Sequence, residues 1–310
     1  MTEITVTVAV PVLNEALHLH ACLDAIGRQT HPHVVEVLVV DGGSTDATRE
    51  IAAHHPNVRV LDNPQRVQSA ALNLALDVAL GDVIVRVDGH CVIADDYVER
   101  CVEALGATGA AIVGGPMTPV AAGRMQTAIA AAMSSPIGAG PARFHHSTEP
   151  GWTDTVYLGA YWAETARSIG GYATDVGVNE DAEFAHRLRD HGGVWFDPSI
   201  RSTYTPRSEL RSVARQFYRY GRSRATTVRR HPESLAPRQL VAPALVLGLL
   251  SPWRRPVAAS YLTLLAAWSA SGRGRRPRWA GAVLPMMHVP WGVGFLIGVF
   301  AGPSRSVRAR

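Results

Sequence analysis

The sequence predicts an α/β chain with a mostly parallel central sheet, followed by hydrophobic C-terminal helices, and three observations lead there. Short, nearly continuous β-branched runs at 34–40 (VVEVLVV) and 83–87 (VIVRV) read as strands buried on both faces. They alternate with helix-length amphipathic segments, the pattern of right-handed β-α-β crossovers. From Gln239 onward the composition changes to long apolar stretches punctuated by arginine.

Residues 4–10 form the first expected strand, which runs into Pro11-Val12-Leu13-Asn14-Glu15. Pro11 is expected to end it, and Asn14 to cap a helix over 16–28. The second strand, 34–40, runs into Asp41-Gly42-Gly43-Ser44-Thr45-Asp46. Its glycines impose a tight turn, and Ser, Thr and Asp suit the start of a helix over 47–54. A short strand at 58–61 precedes a helix at 67–80 with Leu72, Leu76 and Leu80 in one stripe. The strand at 83–87 ends in Asp88-Gly89-His90, where Gly89 frees the backbone to turn. A helix from 95 or 96 to 105 and a strand at 110–113, closed by Gly114-Gly115-Pro116, complete a nucleotide-binding half over 1–115. No G-x-G-x-x-G follows the first strand, which argues against a dinucleotide-dependent dehydrogenase.

Residues 124–150, rich in Ala, Gly and Ser, read as a helix and then a loop. Gly170-Gly171-Tyr172 marks a turn, and Asn179-Glu180-Asp181 stands just before a helix at 182–190. A strand at 194–196 leads to Tyr204-Thr205-Pro206-Arg207, and a helix at 213–224 carries Gln216, Arg219 and Tyr220. The apolar stretches beyond are 240–250, 257–270 and 279–301, separated by Arg254-Arg255 and a GRGRRPR run. Only the third reaches the ~20 residues that span a bilayer as a helix, and Pro285 and Pro290 interrupt it. Trp253, Trp268, Trp279 and Trp291 stand at or near segment ends, as at a headgroup boundary. Basic clusters flank the third stretch on both sides, so a hairpin and a surface-bound tail both stay open, with buried soluble helices as the competing reading.

The 310 residues carry a formal net charge of +4, and 47% are hydrophobic, which fits a globular chain and not a disordered one. Cys22, Cys91 and Cys101 are few, odd in number and outside metal-ligand spacing, as in a reduced, cytoplasmic compartment. The opening MTEITVTVAVPVLNEA is expected to be a first strand and not a signal peptide. After Arg201 the acidic residues are Glu209 and Glu233, whereas arginines recur to Arg310. That asymmetry implies an anionic surface. Because the arginines alternate with apolar stretches, anionic lipid is favoured over nucleic acid.

Chemistry concentrates at strand ends. Asp88 and His90 fall in the crevice beyond a strand's carboxyl end, where open α/β sheets bind ligands. A carboxylate and an imidazole there suit one divalent cation, Mn²⁺ or Mg²⁺, holding a diphosphate; the competing reading is a turn with two solvated polar residues. Glu180 and Asp181 at a helix N-terminus either complement its dipole or supply a general base. Arg207, Arg219 and Arg222 suit a diphosphate, the donor's or a lipid-linked acceptor's, or are surface charge.

Five segments in order, VAVPVLNE, VLVVDGGSTDAT, VRVDGH, GGYATDVGVNEDAEFAHRLR and the QFYRYG run, resemble the family 2 glycosyltransferases of the GT-A fold. The resemblance covers nearly the whole chain. It implies a GT-A-type nucleotide-diphospho-sugar transferase fold and an inverting transfer from a nucleotide sugar, expected to be a UDP-hexose. The implied acceptor is a lipid-linked saccharide or glycolipid in polysaccharide or cell-envelope biosynthesis. Pro11, Asn14 and Glu15 match the first nucleotide-contacting segment. Asp41 matches the aspartate that hydrogen-bonds uracil or ribose, with Gly42 and Ser44 shaping the turn. Arg66 and Asn73 belong to the helix that faces the nucleotide in similar enzymes. Asp88 matches the first aspartate of the metal motif; His90 replaces the second, a departure that favours Mn²⁺. Asp181 matches the catalytic base and Glu180 its neighbour. Gln216, Arg219 and Tyr220 resemble the Gln-x-x-Arg-Trp motif of processive members, with Tyr in place of Trp, so processivity stays open.

On this reading 1–238 is the catalytic domain, with its nucleotide-binding half at 1–115 and its acceptor half at 116–238. Residues 239–310 are a membrane-associating region that holds the domain on the cytoplasmic leaflet, facing the cytoplasm. Two readings from other classes compete. One is a non-catalytic nucleotide-sugar or lipid-surface binding module of the same fold. The other is a nucleotidyltransferase, which requires a glycine-rich, basic phosphate loop that PVLNEALHLH lacks.

Overall fold

The computed structural model describes residues 3–140, 142–175, 178–271, 277 and 279–300. The N-terminal half runs β1 (Val6–Val12), α1 (Leu19–Gly27), β2 (Val34–Asp41), α2 (Thr48–His54), β3 (Val58–Asp62), α3 (Gln68–Val78), β4 (Val83–Arg86), β5 (Cys91–Ile93) and α4 (Tyr97–Thr108). Strands β3, β2, β1 and β4 lie side by side and parallel. Alternate side chains enter two cores. Val6, Val8, Val10 and Val85 pack with Leu19 and Leu23 of α1 and Val98 and Leu105 of α4. Ala9, Leu38, Val40 and Ile84 face the other way, onto Leu72 and Leu76 of α3. A sheet covered on both faces accounts for the near-continuous apolar runs.

Three expectations need correcting here. Pro11 does not end β1, which runs on to Val12; β4 pairs with β1 only from Val6 to Ala9, so no ladder bond is missed at the proline. Helix α1 begins at Leu19, not 16. Leu80 lies beyond the end of α3 and is 73% exposed, so the buried stripe stops at Leu76.

The chain continues through β6 (Ile112–Gly115), β7 (Met117–Pro119), α5 (Gly123–Met133), α6 (Pro136–Ala139), β8 (Gly151–Trp152), β9 (Tyr157–Trp162), α7 (Ala163–Ser168), α8 (Glu180–Leu188), β10 (Val194–Phe196) and β11 (Ser202–Tyr204). Strand β9 inserts antiparallel between β4 and β6, and β10 and β8 complete the eight-stranded order β3-β2-β1-β4-β9-β6-β10-β8. A small sheet, β5-β11-β7, stands beside it. Sequence reasoning missed β9 for a local reason. Leu158 and Gly159 both take positive φ (59° and 105°), which breaks the period-two pattern that would announce a strand. Helix α8 begins at Glu180, so Glu180 and Asp181 form its first turn and do not precede it.

The last four helices are α9 (Leu210–Arg230), α10 (Val241–Leu250), α11 (Arg254–Ser271) and α12 (Ala280–Phe300). Helix α12 stays helical through Pro285 and Pro290. It shares a core with α5, α9 and α11, in which Ile129, Val213, Phe217, Leu265, Leu284 and Met287 are buried. Packing therefore crosses the expected boundary at 238. Close contact depends on glycine: a Cβ at Gly221 of α9 would strike the Trp291 backbone, and one at Gly294 of α12 would strike the Tyr218 carbonyl. The GRGRRPR and RSVRAR clusters fall mostly outside the described residues.

Gly294→Leu is expected to lower stability by about 1–3 kcal/mol or more through overpacking. Gly106→Ala, in exposed α4 positions with nothing within 4 Å of the new Cβ, is expected to raise it by about 0.5–1 kcal/mol. Chemical unfolding of the two variants in the same detergent checks both signs.

Candidate active site

The site forms at the carboxyl ends of β1, β2 and β4. Asn14 joins the loops that follow β1 and β2: its N–H donates to Ser44 Oγ (2.9 Å), and its Oδ1 accepts from the Thr45 N–H (2.8 Å). It sits at φ 57°, a left-handed conformation that asparagine tolerates well, and it clamps loops instead of capping α1. Asp41 accepts from the Ser44 N–H (3.1 Å), Ser44 Oγ (2.5 Å) and the Gly43 N–H (3.2 Å), with Arg49 Nη1 at 3.1 Å. Burial pushes its carboxyl up, but Ser44 and Arg49 outweigh burial and hold it below the usual carboxylate range. The side chain is fully buried and lines neither of the site's two cavities. Both oxygens are engaged in shaping the turn.

A cavity of about 250 Å³ opens between these loops. Pro11, Glu15, Gly42, Arg66, Asp88 and His90 all line it, joined by Gln68. Arg66 precedes α3 in a left-handed turn (φ 58°) that swings its guanidinium over Gly43. Asn73 lies elsewhere. Its Nδ2 donates to the Tyr172 carbonyl (2.8 Å) and its Oδ1 accepts from the Tyr172 N–H (2.7 Å). It lines neither this cavity nor the larger one, so the expectation that it faces the nucleotide is corrected.

Asp88 follows β4 and meets two donors, Arg86 Nε (2.9 Å) and Gln68 Nε2 (2.9 Å). The Arg86 guanidinium also reaches across to α8, with Nη1 3.3 Å from Glu180 Oε1. Arg86 is 5% exposed. Burial works against its charge, yet Asp88 and Glu180 outweigh burial and keep it firmly protonated. Burial raises Asp88 too, but Arg86 and then His90 bring its carboxyl below the usual value. Burial raises Glu180 and Asp181, with Arg86 opposing the rise in both. His90 Nδ1 lies 3.0 Å from Glu15 Oε1; burial disfavours the imidazolium, but Glu15 and Asp88 prevail and raise its pKa above 6.5.

From Asp88 and His90 a second cavity, about 2100 Å³, extends between the sheet and α8, α9, α10 and α11. Glu180, Asp181, Arg207, Gln216, Arg219 and Tyr220 all line it; Arg222 does not. Gln216 Nε2 donates to the Tyr220 hydroxyl (2.7 Å) and Gln216 Oε1 accepts from Arg207 Nε (3.1 Å), so Gln216 ties Arg207 to Tyr220. Sequence reasoning missed Arg86 and Gln68. The signal for Arg86 was present: a charge inside an apolar strand must find buried partners.

Asp88, His90 and Glu15 offer two carboxylates and an imidazole to one cavity, a donor set that suits a borderline cation such as Mn²⁺. Asp88 already has Arg86 against it and would share its oxygens between the two charges.

A crevice at parallel strand ends, opening onto the buried Glu180 and half-buried Asp181, fits a transferase of the GT-A fold. Residues 7–156 match the glycosyl transferase family 2 profile. The chain is 34% identical over 313 residues, 95% of each chain, to the succinoglycan biosynthesis protein ExoA of Rhizobium meliloti. It belongs to glycosyl transferase family 2 and is a glycosyltransferase. A dolichyl N-acetyl-α-D-glucosaminyl phosphate 3-β-D-2,3-diacetamido-2,3-dideoxy-β-D-glucuronosyltransferase of Methanococcus voltae is 26% identical over 73% of this chain and 74% of its own. Among solved structures, the mannosyltransferase PcManGT from Pyrobaculum calidifontis, in complex with GDP-Man and Mn²⁺, superposes with TM-score 0.64 at 22% identity, covering 97% of this chain and 88% of that one. Staphylococcus aureus TarS 1–349 in complex with UDP does so with TM-score 0.52 at 15% identity, over 94% and 90%. Both share the fold.

Arg86→Met leaves Asp88 and Glu180 without their counter-charge and is expected to cost about 3–5 kcal/mol. Arg86 holds the Asp181 pKa down, so its removal moves the acid limb of residual activity to higher pH, whereas Arg86→Lys moves it less. Urea unfolding and a pH–rate profile read the two effects; unchanged values in both contradict the bridging role.

Proposed function

We propose that this glycosyltransferase is inverting and moves a hexose from a UDP-linked donor to a lipid-linked saccharide or glycolipid, in polysaccharide or cell-envelope synthesis at the cytoplasmic face of the membrane. The observation that carries this reading is the single cleft running from Asp88 and His90, at the donor cavity, to Asp181, in the cavity that α9 closes with Gln216, Arg219 and Tyr220. A relative named for succinoglycan biosynthesis supports the acceptor class, and fold neighbours that hold GDP-Man with Mn²⁺ or UDP support a nucleotide-linked donor.

A nucleotide sugar is already activated, so two demands remain: stabilising the departing diphosphate and deprotonating the incoming hydroxyl. Asp88 and His90 would hold a divalent cation, which when bound supplies positive charge against the departing diphosphate. Arg66 and the loops clamped by Asn14 and Ser44 and shaped by Asp41 would seat the nucleotide, with Pro11, Glu15 and Gly42 forming its walls. Asp181 would take the acceptor proton from the side opposite the leaving group, so an α-linked donor gives a β-linked product. Burial raises Asp181 and improves it as a base near neutral pH. Arg207 and Arg219 would bind the acceptor's diphosphate.

Helix α12 is 21 residues long with mean hydropathy 1.7, the one described helix long and apolar enough to cross a membrane, and 39% of that stretch is buried within the protein. Leu247 and Leu250 of α10 and Leu262 of α11 are exposed and line neither cavity, whereas Trp253, between the two helices, and Leu264 are exposed to the large cavity. An exposed apolar face of this extent supports lodging in the cytoplasmic leaflet. Deleting the tail from Gln239 would strip a shared core, so surface substitution is the cleaner test.

Asp181→Asn is expected to lower transfer by ~10²–10⁴-fold while donor binding persists; wild-type turnover would rule out the assignment. A cation requires a neutral imidazole, and His90 is raised, so Mn²⁺ activation should weaken as pH falls through the His90 pKa, above 6.5. Mn²⁺ titrations at pH 6.5 and 8 test this, and an identical pH response in His90→Asn would refute it. Replacing Leu247, Leu250 and Leu262 together with Glu should move the folded protein from membranes to the soluble fraction.

A further inference from the structure

At the end of α8 opposite the turn that carries Asp181, two imidazoles and a carboxylate converge, with His186 and Glu233 lining the large cavity. His186 lies in the last turn of α8, His231 ends α9, and Glu233 follows in the single turn Pro232–Ser234. His186 Nε2 is 3.0 Å from Glu233 Oε1, and His231 Nδ1 is 3.6 Å from the same oxygen. One donor atom from each residue lies within 4.8 Å of the others. A tetrahedral metal with bonds of about 2.0–2.1 Å spaces its donors about 3.4 Å apart, so modest rotation of these side chains would close the set around an ion.

A second observation points the same way. The other nitrogen of His231, Nε2, faces Glu183 Oε1 at 3.4 Å. Glu183 is 1% exposed and held from behind by Arg187, with Nε to Oε1 at 2.9 Å and Nη2 to Oε2 at 2.8 Å. A buried carboxylate behind a ligating histidine is how metal sites fix the tautomer and aim the free nitrogen at the ion. The other His/carboxylate trio among the described residues, His20, Asp24 and His55, keeps His20 and Asp24 on the exposed surface.

The geometry points to a zinc-class divalent metal site formed by His186, His231 and Glu233, with water completing the coordination. Two imidazoles and one carboxylate suit such an ion, whereas Mg²⁺ and Ca²⁺ take oxygen donors. The ion would staple the end of α8, whose first turn carries Asp181, to the end of α9, which carries Gln216, Arg219 and Tyr220. The site is separate from the donor cavity and stands apart from the transfer reading.

The test uses the full chain, purified with a tag free of histidine and stripped with chelator. Titration with Co²⁺ in the His90→Ala background, which removes a ligand of the donor-cavity cation, should give visible d–d absorption that saturates at one equivalent, Zn²⁺ should abolish the band, and Zn²⁺ should raise the melting temperature. In that background His231→Ala and Glu233→Gln should each weaken binding at least tenfold, while His20→Ala retains it. Glu233 is largely exposed, so its variant keeps the test readable if His231→Ala fails to fold. Absence of a saturable band overturns the site, as does binding that survives Glu233→Gln unchanged or is lost in His20→Ala.

Discussion

The buried guanidinium of Arg86 is the contact on which the rest of the site depends. It stands at the end of a central parallel strand, between the carboxylate of Asp88 and that of Glu180. Without it, three acidic side chains, Asp88, Glu180 and Asp181, would crowd one low-dielectric cleft with little opposing charge. With it, Asp88 stays ionised while burial still lifts the carboxyls of α8. The same residue thus joins the nucleotide-binding half to the helix that carries the candidate base. It also sets their protonation apart, the pattern by which neighbouring carboxylates take different roles.

The parallel half was legible because its strands are buried on both faces and read as unbroken apolar runs, and its loops carry their chemistry in glycines and short polar residues. The acceptor half was harder. Strand β9 bends through Leu158 and Gly159, and β5, β7 and β11 have three residues each, too few for periodicity to register. Residue type announced Asp88, His90 and Asp181, and the structure brings them to one cleft. It could not announce what a side chain touches: Asp41 turns inward on Ser44, and Asn73 fastens α3 to the Tyr172 turn. The Arg86 bridge spans 94 positions in sequence, and no local pattern encodes its far end.

The C-terminal helices change meaning once packed. Their composition suggests a detachable anchor, yet glycines at 221 and 294 bring α9 and α12 backbone to backbone, and α12 completes the core behind the acceptor cavity. One surface of the tail therefore builds the enzyme while another is left apolar and exposed.

The central claim is that one carboxylate, Asp181, activates the acceptor from the face opposite the departing diphosphate. The anomeric configuration of the product tests it most directly. With an α-linked nucleotide sugar and a membrane lipid acceptor, the one-bond carbon–hydrogen coupling at the anomeric centre of the new linkage should report a β configuration. An α product would contradict the account, because retention requires a different arrangement of groups around the reacting carbon.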